Sequence, residues 1–448
     1  MNYDEFISTK RRVTQSHGFD PLPSLTALFP WQRQITDWAI RKGRAALFED
    51  CGLGKTPQQL EWASQVHLKT GGSVLILTPL AVAQQTAREA VKFGIPAVVA
   101  TSQSDIDRPG IWITNYEKLE HFTPDDFAGV VLDESSILKS FTGKTRKALT
   151  DAFRNTPYRL CCTATPSPND YTELGQHADF LGICTPAQML CTFFINDTFN
   201  TGDWRLKRHA EGEFWRWLAS WAACVSMPSD IGFPDDGYVL PALKMETITV
   251  EVDESQEPGD DLFRIATLSA TTMHREMRLT SAARSDAVAE LVNKSSESWI
   301  VWCNTNDEAD ALIERLNDAV EVRGSDTIEH KQKALADFSE GRERVIITKP
   351  SIAGFGLNWQ HCHNVAFVGL SYSFEDFYQA LRRSYRFGQT HQVNAYIIQA
   401  QTEGAILRAI ETKIEQHKNM QENMKKAAKE LRFSTSETIN AKTDIATT

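Results

Sequence analysis

Short, nearly unbroken apolar runs recur through the first half of the chain: AALFE, SVLILTP, AVVA, IWIT, GVVLDE and YRLCCTATP. Runs without polar alternation are the pattern of strands covered on both faces, as in a parallel sheet. Between several of them lie helix-length stretches of mixed polarity, such as TPQQLEWASQVHLK and AVAQQTAREAVKFG. That β-α alternation predicts an open sheet flanked by helices. A second series starts at Ile248 with ITVEV and continues through SWIVWC, EVRGS, RVIITKP, NVAFVG and NAYIIQA. Two tandem α/β domains, each a mostly parallel sheet flanked by helices, are therefore expected.

The pattern also places boundaries. Residues 1–24 read as an N-terminal extension, 25–175 as the first domain, 176–225 as a helical aromatic-rich insert, 226–246 as a linker and 247–415 as the second domain. The linker reading rests on SMPSDIGFPDDGYVLPALK, which is rich in Pro, Gly and Asp and lacks regular periodicity. From 416 a polar helix is expected to about Leu431, with STSETINAKTDIATT as a loose tail. In the insert, Phe214, Trp217 and Trp221 fall at helical spacings, with Trp215 on another side. Such a stripe reads first as core. The functional alternative is a stacking platform for unpaired bases, helped by Arg205, Lys207 and Arg208. Lys425, Lys426 and Lys429 read as solvated surface.

Composition narrows the function classes. A chain of 448 residues has room for two or three domains with full cores, and 42% hydrophobic with 23% charged residues is ordinary for globular proteins. The net charge of −11 argues against a broadly basic, nucleic-acid-coating surface, while permitting a local basic groove. MNYDEFISTKRRV lacks the apolar core of a signal peptide, and no apolar run of about 20 residues is present to span a bilayer. A soluble, cytoplasmic protein without membrane partners is expected. The eight cysteines are scattered without C-x-x-C spacing, so buried reduced thiols are expected in place of a zinc site or disulfides.

Chemistry concentrates in LFEDCGLGKTPQQLEWA, Leu47 to Ala63. Its Gly-Lys-Thr ends a glycine-rich turn, yet Glu49 stands where the usual phosphate-binding loop begins with glycine. Context supports a real loop, since a predicted strand precedes it and a predicted helix follows, aiming backbone N–H groups at a phosphate. Gly52 and Gly54 allow close backbone approach, Lys55 can reach the β and γ phosphates, and Thr56 can ligate Mg²⁺. After a buried strand, GVVLDESS supplies Asp133 for the metal and Glu134 to align and deprotonate the attacking water. DFYQALRRSYRFGQT places Arg383 and Arg386 three residues apart, expected on one face of a helix, as candidates for meeting the charge on a transferred phosphate.

As a set, these motifs resemble a superfamily 2 helicase or translocase, most closely the Swi/Snf-type branch of DNA-stimulated ATPases, from about Leu25 to Ile398. That branch replaces the leading glycine with D-E-x-G-L-G-K-T, which EDCGLGKT resembles. The resemblance implies two RecA-like domains, with ATP and Mg²⁺ at the cleft between them and DNA as partner. It also implies nucleotide contacts from Gln32 in FPWQRQ, from Gly52, Leu53, Gly54, Lys55 and Thr56, and from Gly356 in ITKPSIAGFGLN. It implies nucleic-acid contacts from Thr78 and Pro79, from Asn115 and Tyr116, from Thr163 in TATPSPN, from Gly324 and Ser325 in VRGS, and from Asn358. Gln379 joins Arg383 and Arg386 in QALRRSYRFGQ.

Three departures stand out. Ser135 and Ser136 replace the Ala-His that usually follows Asp-Glu, Ser351 replaces a usual basic residue, and no accessory module is evident. The compact size resembles small phage or prophage motors, expected to act as monomers beside replication or recombination proteins. The resemblance implies a DNA-stimulated ATPase that moves along DNA as a helicase or duplex translocase. The alternatives are an RNA-directed helicase, a non-catalytic nucleic-acid clamp, and a motor subunit serving a nuclease or methyltransferase partner.

Overall fold

The computed structural model describes residues 14, 16–24, 26–80, 82–140, 143–196, 204–251, 277–354 and 357–445. Gly356 and the opening MNYDEFISTKRRV lie outside the described residues. The chain divides into two compact units, one formed by residues 1–235 with 416–448 and the other by 236–415.

The first unit is built on a seven-stranded sheet whose paired strands are all parallel. Helix α1 (Pro30–Lys42) leads into β1 (Arg44–Glu49), α2 (Lys55–Thr70), β2 (Ser73–Thr78), β3 (Ala97–Val99), β4 (Ile111–Asn115), β5 (Phe127–Asp133) and β6 (Tyr158–Thr163). Helices α3 (Leu174–Leu181) and α4 (Pro186–Phe193) follow. Next come a small antiparallel pair, β7 (Phe194–Asn196) with β8 (Trp204–Leu206), then α5 (Glu211–Ala219) and β9 (Ala222–Val225). The strand order is β3-β4-β2-β5-β6-β1-β9. Every residue of β2 is buried, which explains its unbroken apolar run: both faces are covered.

The aromatic segment belongs to this core. Phe214, Trp215, Trp217 and Trp221 are all buried, with Trp217 packed edge-on to Trp221 at 5.3 Å and Phe193 against Phe214 at 5.4 Å. β9 pairs in parallel with β1, Ala222 opposite Ala46, so this segment closes by adding an edge strand to the sheet.

The second unit holds a six-stranded sheet, also parallel at every pairing. Its strands are β10 (Leu243–Val250), β11 (Trp299–Trp302), β12 (Ala319–Val322), β13 (Val345–Thr348), β14 (Asn364–Val368) and β15 (Val393–Ala400), in the order β10-β15-β14-β11-β13-β12. Helix α6 (Phe374–Leu381) links β14 to β15. A fully buried ion cluster sits beneath this sheet. Arg284 lies 2.8 Å from Glu308 and 3.7 Å from Glu403, and its Nη1 also donates to the Val368 carbonyl at 2.7 Å. Removing one partner of such a cluster leaves an uncompensated buried charge.

Helix α7 (Gly404–Ile445) begins in the second unit, where Ile406 and Ile410 join the core. From Gln416 it belongs to the first unit, where Met420, Met424 and Ala427 are buried. Lys425 departs from the expected solvated surface, since its Nζ lies 3.0 Å from Asp230 and donates to Ser226 Oγ at 2.6 Å. Among the described residues, no helix is long and apolar enough to cross a membrane.

Candidate active site

β1 ends on Glu49, fully buried, and the chain then turns through Gly52 and Gly54 at φ of 86° and 76°. Both angles lie in the left-handed region that favours glycine. A Cβ at Gly54 would also come within 2.5 Å of Gln32 Nε2, so that the Gln32 amide would have to shift. Gln32 is buried against the loop, donating to the Leu53 carbonyl at 2.8 Å and accepting from the Phe29 N–H at 3.1 Å. No side chain caps the start of α2. Its first-turn N–H groups, and the positive end of the helix dipole, are thus left for an anion. Lys55 Nζ donates to the carbonyls of Glu49 at 2.9 Å and Asp50 at 3.3 Å, and half-buried Thr56 follows it.

Only β6 separates β1 from β5, and parallel pairing puts the ends of both strands on one edge of the sheet. Asp133 therefore comes to the loop. Gln59, on α2, donates to Asp133 Oδ1 at 2.7 Å, while its neighbour Gln58 donates to Glu49 Oε2 at 2.7 Å. Tyr116 donates its hydroxyl to the Asp133 carbonyl at 2.6 Å, and Thr163 donates to Glu134 Oε2 at 3.3 Å. Glu134 sits at φ 51°, the one non-glycine residue with positive φ among the described residues. Such a conformation costs about 1–3 kcal/mol and persists where surrounding contacts impose it.

The electrostatics follow from burial. Desolvation pushes Glu49 up to about 7, against the pull of Lys55 and the Gln58 hydrogen bond. Asp133 is likewise raised by burial, with the Gln59 hydrogen bond and Lys55 opposing. Burial works against the charge on Lys55, but Cys51, Glu134, Glu49 and Asp133 outweigh it and hold the ammonium above its ordinary value. One cation thus serves three carboxylates, Glu49, Asp133 and Glu134.

Several contacts were not legible as motifs. Gln58 and Gln59 carried no signal beyond their place in the helix after the loop. Ser135, which stands where an alanine was expected, has its Oγ 3.1 Å from Nε2 of His177 on α3. That imidazole is fully buried, packs edge-on to Phe48 at 5.3 Å, and is pushed down to about 4 by burial. A neutral histidine from a different element therefore lies beside the Asp-Glu strand end.

The remaining expected residues distribute as follows. Thr78, Asn115, Tyr116 and Thr163 are buried in the first unit and Pro79 is half-buried. In the second unit Gly324, Ser325, Asn358 and Ser351 are exposed. Arg383 and Arg386 do not lie on a helix face, because α6 stops at Leu381 and both fall in the following turn. They still converge: Arg383 Nη1 and Arg386 Nη1 donate to the same Leu357 carbonyl, at 3.0 and 2.8 Å. Gln379 accepts from Arg383 twice, through its carbonyl and its Oε1, each at 3.0 Å.

Among the described residues, no group of three or more His, Cys, Asp or Glu side chains is placed to hold a metal ion. A magnesium ion here would lean on phosphate oxygens and water, with Thr56 and Asp133 as its protein partners, which is how this ion commonly binds.

Residues 24–196 match the SNF2-related domain and residues 283–388 match the helicase conserved C-terminal domain. Among solved structures, the chain is similar to a Sulfolobus solfataricus SWI2/SNF2 ATPase core in complex with dsDNA, at 18% identity and a TM-score of 0.44, covering 91% of this chain and 96% of that one. No curated protein matches the chain.

Proposed function

The chain belongs to the Swi/Snf-like branch of superfamily 2, carrying an SNF2-related domain and a helicase conserved C-terminal domain, and from that premise we propose that it hydrolyses ATP and couples the reaction to movement along DNA. The observation that carries the proposal is the ring of groups around Lys55. An uncapped helix start and a left-handed glycine turn set Lys55 Nζ on the carbonyls of Glu49 and Asp50, and the charges of Glu134, Glu49 and Asp133 favour its ammonium form.

In this reading the γ-phosphate of ATP takes Lys55 Nζ from the Glu49 and Asp50 carbonyls that it contacts now. Glu134 accepts a proton from the attacking water as its oxygen bonds to the γ phosphorus. The bond to the β-γ bridging oxygen breaks, and ADP departs with the electron pair. Thr163 and the strained backbone at Glu134 hold that carboxylate in one orientation. Magnesium, when bound by Thr56 and Asp133, neutralises phosphate charge. Arg383 and Arg386 are assigned to the charge that develops on the γ-phosphate, a role for which arginine is suited.

Phosphate release by wild type, Lys55→Ala, Glu134→Gln and Arg386→Ala, each with and without duplex DNA, tests the proposal. Wild type should be stimulated by duplex DNA more than by RNA. Lys55→Ala and Glu134→Gln should each lose roughly 10²- to 10⁴-fold of turnover. Arg386→Ala should still bind ATP while hydrolysing it slowly, since loss of such a group costs about 10³- to 10⁵-fold. Full DNA-stimulated turnover by Glu134→Gln would overturn the assignment of the base.

A further inference from the structure

The opposite edge of the first sheet carries a second cluster of cations, unrelated to the loop. Arg44 opens β1 and Arg159 is the second residue of β6, so both lie at the strand starts, about 17–20 Å along β1 from the phosphate-binding turn. A cavity of about 300 Å³ opens there, lined by Arg44, Arg154, Arg159, Asp179, Thr185 and Gln188 among others. It would hold roughly ten water molecules, the lower range of small-molecule sites.

The charge in this cavity is unbalanced. Arg159 is buried, and among the described residues neither it nor Arg44 pairs with a carboxylate within 4.0 Å. The nearby acids are already engaged, Asp179 with Arg146 at 3.3 Å and Asp151 with Arg154 at 2.6 Å. Burial and repulsion from Arg44 push Arg159 down to about 10, and burial also lowers Arg44. His17 is lowered by burial and then by the same two arginines.

Part of Arg159 has a structural purpose. It donates to the carbonyls of Thr156 at 2.8 Å, Phe180 at 2.6 Å and Arg154, and the Phe180 bond caps the end of α3. Those three bonds leave two of its five N–H groups unused. Arg44 spends one, from Nε to the Pro157 carbonyl at 3.0 Å, and keeps four. Gly182, at φ 71°, lets the pair approach, since a Cβ there would come within 2.9 Å of Arg44 Nη1 and 3.5 Å of Arg159 Nη1.

We propose that this cavity binds a small phosphate-bearing anion, seated on the unused N–H groups of Arg44 and Arg159, with Arg154 at its mouth. Two guanidinium forks match the geometry and the double charge of a phosphomonoester better than those of a single carboxylate. Thr185 and Gln188 also line the cavity; the Thr185 hydroxyl and Gln188 Oε1 accept from each other's backbone N–H, and the Gln188 amide N–H groups remain for a sugar attached to that phosphate. The phosphate can come from a free nucleotide or sugar phosphate, or from the 5′ end of a nucleic-acid strand.

Calorimetric titration of the full chain carrying Lys55→Ala separates this cavity from the loop. Inorganic phosphate and a nucleoside monophosphate are expected to bind that protein. Adding Arg44→Met should weaken binding by roughly tenfold or more, because a charge-assisted contact is lost. Arg154 is exposed, so Arg154→Gln leaves the fold intact and should weaken binding by a smaller factor. A 5′-phosphorylated oligonucleotide that displaces the monophosphate, where its 5′-hydroxyl twin does not, would identify the strand end as the source and support the site equally. No binding to the Lys55→Ala protein, or affinities unchanged in both arginine variants, would overturn the proposal.

Discussion

Glu49 shows how much a single residue can be read and how much cannot. Its place in the loop is plain from the motif, but its burial is not, and burial decides its chemistry. The carboxyl is held up to about 7 in the folded chain because desolvation exceeds the help from Lys55 and Gln58. Unfolded, it would titrate near 4.5. A raised carboxyl contributes stability below the unfolded value and loses it as pH climbs through the folded one. Wild type should therefore lose stability relative to Glu49→Gln between about pH 4.5 and 7, with the gap constant above that. Urea midpoints of the two proteins across that range check this, and parallel curves would show that Glu49 is not buried as described. Lys55, Asp133 and Glu134 were legible for the same local reason, a strand followed by a short motif. The contacts of Gln59, Tyr116 and Thr163 to the acid pair, and of His177 to neighbouring Ser135, were not, because each side chain comes from a different element and no spacing announces it.

At the scale of elements, apolar runs located the buried strands well, since a strand covered on both faces has no polar alternation to hide it. β7 and β8 escaped because FIN and WRL are short and mix polar with apolar residues, and β9 because its AACV follows closely on the aromatic helix. The end of α6 was hidden by a side chain. Arg383 Nε takes the Gln379 carbonyl that its own backbone N–H would use in a continuing helix, and that N–H turns to the Ala380 carbonyl at 3.2 Å. Sequence periodicity cannot register such a substitution. Helix α5 is the opposite case, where period and packing agree. Trp217 packs between Phe193, Phe214 and Trp221, all within 6 Å between ring centroids. Trp217→Ala should therefore destabilise the first unit by about 3–5 kcal/mol through lost burial and a cavity. Chemical denaturation reads this directly, and an unchanged midpoint would remove the aromatic cluster from the core.

For the whole molecule the governing fact is charge. The chain carries 58 acidic and 47 basic residues, for a net −11, so any grip on DNA must come from local groups working against a repulsive background. The exposed second-unit candidates Gly324, Ser325 and Asn358 carry no charge, which limits how many phosphates this set can neutralise. Each phosphate neutralised releases counterion, and observed affinity falls with salt at a slope of about −0.9 per contact on a logarithmic scale. If about three or four lysine or arginine side chains elsewhere on the chain neutralise phosphates, the DNA concentration for half-maximal ATPase stimulation should rise on the order of 10²-fold between 50 and 200 mM salt. Turnover at saturating DNA should change far less, because the proposed triphosphate site rests on buried Glu49 and Asp133 and half-buried Lys55, Thr56 and Glu134, which salt screens less than exposed charges. A stimulation curve that does not move with salt would mean that DNA is held without phosphate contacts, and the assignment of this chain to backbone tracking would fall with it.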